Sequence, residues 1–173
     1  MKLCTIILSA LVMLAAVCTA QADFSFQVTV GKHEVGVAAR SNGEFCLKVD
    51  GKTAGAEEDK MYGTVRVARA QDATFTLVYE GKELIVETKN ELPLLIDVVP
   101  KSEAVKPNNA QSIKVGGRTV WITDGGQDKA GKLWAFESHI VTKPRTYMIT
   151  QMGHSKQPSQ TMTDVLKSFV LIL

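Results

Sequence analysis

Glu137 and His139 are the residues of this chain whose types and spacing come nearest to acid–base chemistry. Two apart in LWAFESHIV, they share one face of a strand, while Trp134, Phe136, Ser138 and Ile140 share the other. A carboxylate that orients an imidazole is half of a general-base system. Tyr147 would be the third member. If the hairpin that follows closes through a three-residue loop, Tyr147 falls opposite His139 and a Glu, His, Tyr cluster forms. A two-residue loop turns Tyr147 to the other face and dissolves the cluster. A solvated sheet face accounts for Glu137 and His139 with no chemistry at all, and that is the expectation here.

The remaining chemistry-bearing residues are more scattered. His33, His139 and His154 lie at none of the helical or paired-ligand spacings of a metal site, so no metal and no cofactor are expected. GHS at 153–155 lacks the Gly-x-Ser-x-Gly frame of a nucleophile elbow and reads as a loop. DGGQDKAGK, 124–132, has acids and glycines but neither the EF-hand register nor the P-loop spacing; it reads as a hairpin loop. Cys46 shares its strand face with Glu44 and Lys48, and is expected to be a small buried residue, with pairing to another chain as the alternative for this thiol. Trp121 alternates with Val120 and Ile122. It is either a core residue or, if the aliphatic pair faces inward, a partly exposed anchor of a binding patch.

The elements that must position these residues begin after MKLCTIILSALVMLAAVCTAQA. One cation at Lys2, an apolar run to Val17 and the small-residue site Ala20-Gln21-Ala22 make the plan of a secretory signal peptide, residues 1–22, with cleavage before Asp23. Residues 23–173 are then a single domain. Cys4 and Cys18 leave with the signal, so Cys46 is alone and the core must hold the fold without a disulfide. The formal charge is +2 at pH 7, with both signs mixed and no run of either, which excludes the electrostatic footprint of a nucleic-acid binder. The address expected is periplasmic or extracellular, in a bacterial envelope, with no membrane span once the signal is removed.

From Phe24 onward the apolar residues recur at every second position: Phe24, Phe26, Val28, Val30; Val35, Val37, Ala39; Phe45, Leu47, Val49. Asp50-Gly51, Glu80-Gly81 and Gly116-Gly117 place turn residues between such runs. GTVRVAR, TFTLVYE and ELIVETK continue the strands, and LLIDVV, between Pro93 and Pro100, is a buried strand or the end of a short helix. Residues 100–111, polar and proline-bearing, form the one internal seam. Two hairpins follow. At the C-terminus Met162, Val165, Leu166 and Phe169 recur at helical spacing, with Thr161 and Asp164 as a capping box. So short a helix persists only when docked. VLIL after it is a last helical turn or a buried strand.

The order KLWAFESHIV, PRTYMITQM, a polar link, then TMTDVLKSFVLIL resembles the end of the PsbP-like and DcrB-like family, with Leu166, Ser168 and Phe169 carrying the likeness over the last third of the chain. The resemblance implies an antiparallel sheet with helices against it and a small exported protein without catalytic activity; it transfers no site residue. The first half departs from that pattern in having more short strands and no N-terminal helix.

The fold expected is therefore α+β, mainly antiparallel sheet with the C-terminal helix packed on one face, the alternative being a β-sandwich with an added helix. The function expected is a non-catalytic binding or accessory module for an unidentified protein or small molecule; the alternative is a small secreted hydrolase using Glu137 and His139. An outer-membrane barrel is disfavoured, because aromatic residues are too scarce for its girdles and the closing helix has no place in one.

Overall fold

The computed structural model describes residues 22–101, 106–123 and 132–172. Residues 1–21, 102–105 and 124–131 lie outside the described residues, and with them the expected signal peptide up to Gln21, the centre of the expected seam and the DGGQDKAGK stretch apart from Lys132. Strands β1 (Phe24–Val30), β2 (His33–Ala39), β3 (Phe45–Val49) and β4 (Lys52–Thr53) join the C-terminal β14 (Val170–Leu171) in a five-stranded sheet of order β14-β1-β2-β3-β4. The chain then turns a corner at the buried Ala54. A nine-stranded sheet takes up β5 (Gly55–Asp59), β6 (Gly63–Arg69), β7 (Ala73–Val78), β8 (Glu83–Thr88), β9 (Leu94–Pro100), β10 (Ala110–Val115), β11 (Arg118–Thr123), β12 (Trp134–Val141) and β13 (Arg145–Gly153). Its order is β10-β11-β12-β13-β9-β8-β7-β6-β5, and its neighbours run antiparallel. The one α-helix among the described residues, α1 (Gln160–Ser168), precedes β14.

The expected α+β arrangement, mainly antiparallel with a docked C-terminal helix, is what the chain adopts. Period-two patterning sets which faces meet. Phe26, Val28, Val35, Val37 and Leu47 on the small sheet are buried against Phe75, Leu77, Leu84, Ile96, Phe136 and Ile149 on the large one, in a single core. LLIDVV proves to be strand β9, with Leu94, Ile96 and Val98 pointing inward. Asp50-Gly51 (φ 51° and 77°) and Gly116-Gly117 (φ 55° and 77°) have positive φ at both turn positions, as a tight hairpin needs. At Gly116 a Cβ would stand 2.8 Å from the backbone of Lys167, so the β10–β11 turn lies directly against α1 and glycine is required there.

Met162, Val165, Leu166 and Phe169 are all buried, as the helical spacing requires, but the capping differs from expectation. The cap is Ser159, whose Oγ accepts from Met162 N at 3.0 Å. Thr161 lies inside the first turn. Its N–H and that of Gln160 donate to the Glu91 carboxylate at 3.2 and 3.1 Å, and Asp164 accepts from Gly31 N at 3.2 Å. Ser159 wins because it stands directly before the first helical residue with extended backbone, the geometry in which a hydroxyl reaches the third N–H. Past the helix, Phe169 stacks on Phe26 at 5.3 Å and meets Tyr147 edge-on at 5.2 Å. Arg118 on β11 donates to the carbonyls of Leu166 (3.1 Å) and Phe169 (3.0 Å), closing the helix C-terminus onto the large sheet. The described part of VLIL is neither a helical turn nor a buried strand: Val170 and Leu171 form an edge strand on β1, with Val170 exposed.

One end of the sandwich is tied by a buried histidine. His33 Nδ1 lies 2.7 Å from Asp50 Oδ2, and Nε2 lies 2.8 Å from Asp72 Oδ1. Its ring meets Phe75 edge-on at 5.8 Å. Only the imidazolium has an N–H for both carboxylates. The pair accordingly raises His33 above its ordinary value, Asp50 being the larger cause, while the His33 bond lowers Asp50 and brings Asp72 down to about 2. The small sheet and the β6–β7 connection are thereby linked. The sign follows from the shifts. The His33 contribution is present at mildly acid pH and is lost as pH rises through its raised value; the aspartate contribution is lost as pH falls from about 4 toward 2. His33→Ala is expected to lower stability by about 2 kcal/mol at pH 6 and by less at pH 9, measured by urea unfolding at the two pH values.

Candidate ligand-binding cavity

The opposite end of the sandwich is open. The inner-facing row of the large sheet runs Val120, Ser138, Ile149, Ile96, Leu84, Leu77, and its next member on β6 is Arg66. A charged side chain therefore occupies a position whose register neighbours are core residues. Its guanidinium sits over the Phe45 ring, 5.5 Å from the centroid, and its Nε is buried with no protein group in hydrogen-bond reach. Around it opens a cavity of about 910 Å3, lined among others by Ala39, Arg40, Phe45, Tyr62, Tyr79 and Lys82.

The wall of this cavity is a strained turn. Tyr79, Glu80 and Gly81 have φ of 50°, 55° and 84°, so three successive residues between β7 and β8 are left-handed. For residues with a Cβ this costs roughly 1–2 kcal/mol each. Gly81 is required twice over, by its φ and because a Cβ would stand 2.8 Å from the Cβ atoms of Ala39 and Phe45. The left-handed turn projects the half-exposed Tyr79 toward Tyr62, ring centroids 5.2 Å apart and edge-on. At the rim, Arg40 pairs with Glu44 (2.7 Å) and Lys82 with Glu80 (3.6 Å). Among the described residues, no carboxylate pairs with Arg66.

Cys46 also lines this cavity, half-buried, where full burial was expected. It lies on β3 opposite Ala38, near the end of the strand that borders the cavity. A smaller cavity of about 390 Å3 lies at the start of β1 beside Arg145, whose Nε is likewise buried without a protein partner and whose guanidinium is 5.1 Å from the Phe24 ring centroid.

The residues singled out first occupy a different surface. Glu137 and His139 are hydrogen-bonded to each other on the outer face of the large sheet. Tyr147 is not with them. The register pairs Val141 with Thr146 and Ile140 with Tyr147, so the hairpin closes through a two-residue turn at Lys143-Pro144, and Tyr147 points into the core beside Phe26. Burial raises its phenol above the ordinary value. The three-membered cluster does not exist. Trp121 pairs with Glu137 on the outer face and is half-buried, with Lys106 Nζ 4.6 Å from its ring centroid. The register places a second ionisable pair in the same row as His139: Met148 lies between His139 and Asp97, and Asp97 pairs with Glu83. Burial, together with the hydrogen bond from one carboxyl to the other, pushes Asp97 up to about 7.

Arg66, Tyr62, Tyr79, Glu83 and Asp97 were not singled out from the sequence. The signal for the turn was an aromatic and an acid before Gly81, where small turn residues are the rule. Nothing in GTVRVAR marks Arg66 as the inward residue, since Val65 and Val67 compete for that face. Among the described residues no group of histidine, cysteine and carboxylates is arranged to hold a metal ion, and no helix is long and apolar enough to cross a membrane. Comparison of the chain with protein-family models, curated proteins and solved structures gave no match.

The Asp97 pair predicts a measurable pH response. A carboxyl whose folded value is raised contributes stability below its unfolded value near 4, and that contribution is lost as pH rises toward 7. Asp97→Asn is expected to raise the melting temperature at pH 8 and to change it little at pH 4.5. A fall at pH 8 equal to that at pH 4.5 would show that Asp97 is ionised in the fold.

Proposed function

We propose that this chain is an exported, non-catalytic binding protein of the bacterial envelope, which holds a small molecule in the cavity at the open end of its sandwich. The observation that carries this reading is the composition of that end: a cavity of about 910 Å3 whose wall is a turn of three left-handed residues, two of them with side chains. Backbone strain of this kind costs stability and is typically retained where it positions a group for function. Here the positioned group is Tyr79, set against Tyr62 at the mouth. Cavities of this size with aromatic walls and a few polar groups are the usual form of small-molecule sites. The leader plan of residues 1–22 supports export, and the small-exported-protein resemblance agrees with it.

A hydrolase reading has one observation in its favour, the Glu137–His139 bond. Its imidazole lies on the outer face of the large sheet, where its side chain is only 9% exposed and not the solvated group expected from the sequence, and it is not among the residues lining the cavity. If an activity is found, His139→Ala abolishes it under this reading and leaves it intact under the binding reading.

Two measurements test the proposal. Mass spectrometry of the protein recovered from its native envelope is expected to show an N-terminus at Asp23; retention of residues 1–22 on the mature protein would remove the export reading. In a small-molecule thermal-shift screen, hits are expected to lose at least half their stabilisation in Tyr79→Ala. Hits that are unaffected by Tyr79→Ala but abolished by changes on the outer face would move the site away from the cavity.

A further inference from the structure

We infer that the cavity selects a small amphiphilic anion, an oxyanion group attached to a flat apolar body, with Arg66 as the residue that recognises the charge. The inference rests on the binding reading above and specifies its ligand.

Three cations and two carboxylates are among the residues lining the cavity: Arg40, Arg66 and Lys82, with Glu44 and Glu80. Four of these five neutralise one another in pairs at the rim, where Glu44 and Glu80 are well exposed and each lies next to its own cation. Arg66 is left over. It stands deeper, on the core-facing row of β6, where Leu77 is its cross-strand neighbour. A guanidinium taken partly out of water needs acceptors, and its buried Nε has none from the protein. The Phe45 face beneath it satisfies the cation in part but offers no hydrogen-bond acceptor. Carboxylate, sulfonate and phosphate share the chemistry that completes such a group, because two of their oxygens match the guanidinium fork.

The rest of the lining specifies what the oxyanion is attached to. Tyr62 and Tyr79 stand edge-on to each other at the mouth, and Phe45 and the methyl of Ala39 line the wall, so a planar apolar body can pack between them. An inorganic anion would leave those surfaces wet. The strained turn fixes Tyr79 in place before the ligand arrives, which lowers the ordering cost of binding.

The test uses two dyes with the same ring system, 8-anilinonaphthalene-1-sulfonate and N-phenyl-1-naphthylamine, which differ by one sulfonate, titrated into the purified protein by fluorescence. The sulfonate is expected to bind one site about tenfold or more tightly than the neutral dye. That preference is expected to vanish in Arg66→Met and to be partly kept in Arg66→Lys, with circular dichroism confirming that both variants are folded. Benzoate and phenyl phosphate are expected to displace the sulfonate dye, and inorganic phosphate to do so far less well. Equal binding of both dyes, or a sulfonate preference unchanged in Arg66→Met, overturns the anion inference while the binding reading stands. Displacement by inorganic phosphate as effective as by phenyl phosphate overturns the requirement for an apolar body. If neither dye binds, both the inference and the cavity as a ligand site fall.

Discussion

The two sheets of this protein are of unequal width, and most of its architecture follows from that mismatch. A five-stranded sheet cannot cover the inner face of a nine-stranded one. The strands of the large sheet beyond its reach must be closed by something other than a facing strand, or left open to water. An open apolar face would cost about 25 cal/mol for every Å2 left exposed. The chain solves the problem differently at its two sides.

On the β10–β11 side, the C-terminal helix and Phe169 supply the cover. Helix α1 brings Met162, Val165 and Leu166 into the gap, Phe169 stacks on Phe26, and Arg118 ties the helix end back to the sheet. The apolar face of the helix and Phe169 are thus a piece of core, while Val170 beyond them stays exposed. On the β6 side the small sheet itself supplies the cover, with β3 packed against β6 and Phe45 beneath the Arg66 guanidinium. The inner positions change character there, from Phe75 and Leu77 on β7 to Thr64, Arg66 and Ala68 on β6, and a cavity remains. His33 and its two aspartates hold the far end of the sandwich shut, so the opening is confined to one end. Backbone strain and a guanidinium whose Nε has no protein partner sit together at that opening.

How much of this could be read from the chain depends on how local each determinant is. Strand faces were legible because alternation is a property of five or six neighbouring residues: Phe24 through Val30 needed no tertiary information. The helix was legible from Met162, Val165 and Leu166, while its cap was not, since Ser159 and Thr161 are both competent and the choice depends on where the chain leaves β13. The Tyr147 question reduced to one residue of hairpin length, and Thr142 N bonding to Arg145 O decided it in the core's favour. The cavity was not legible. Arg66 in GTVRVAR faces inward because the register pairs it with Leu77 on β7, and that pairing is not marked within the segment itself. Asp97 and Glu83 meet through strand pairing over fourteen positions, so their proximity leaves no mark in the sequence either.

The central claim is that Arg66 is kept at a core-facing position for a partner the protein itself does not supply. Such a residue serves binding at the expense of stability. The melting temperature of ligand-free Arg66→Met tests this directly: methionine keeps the side-chain stem against Phe45 and removes the buried, unsatisfied Nε. This variant is expected to melt above the parent protein, by an amount equivalent to about 1 kcal/mol. A variant that melts several degrees below it would show that Arg66 holds the fold together, and the claim would be wrong.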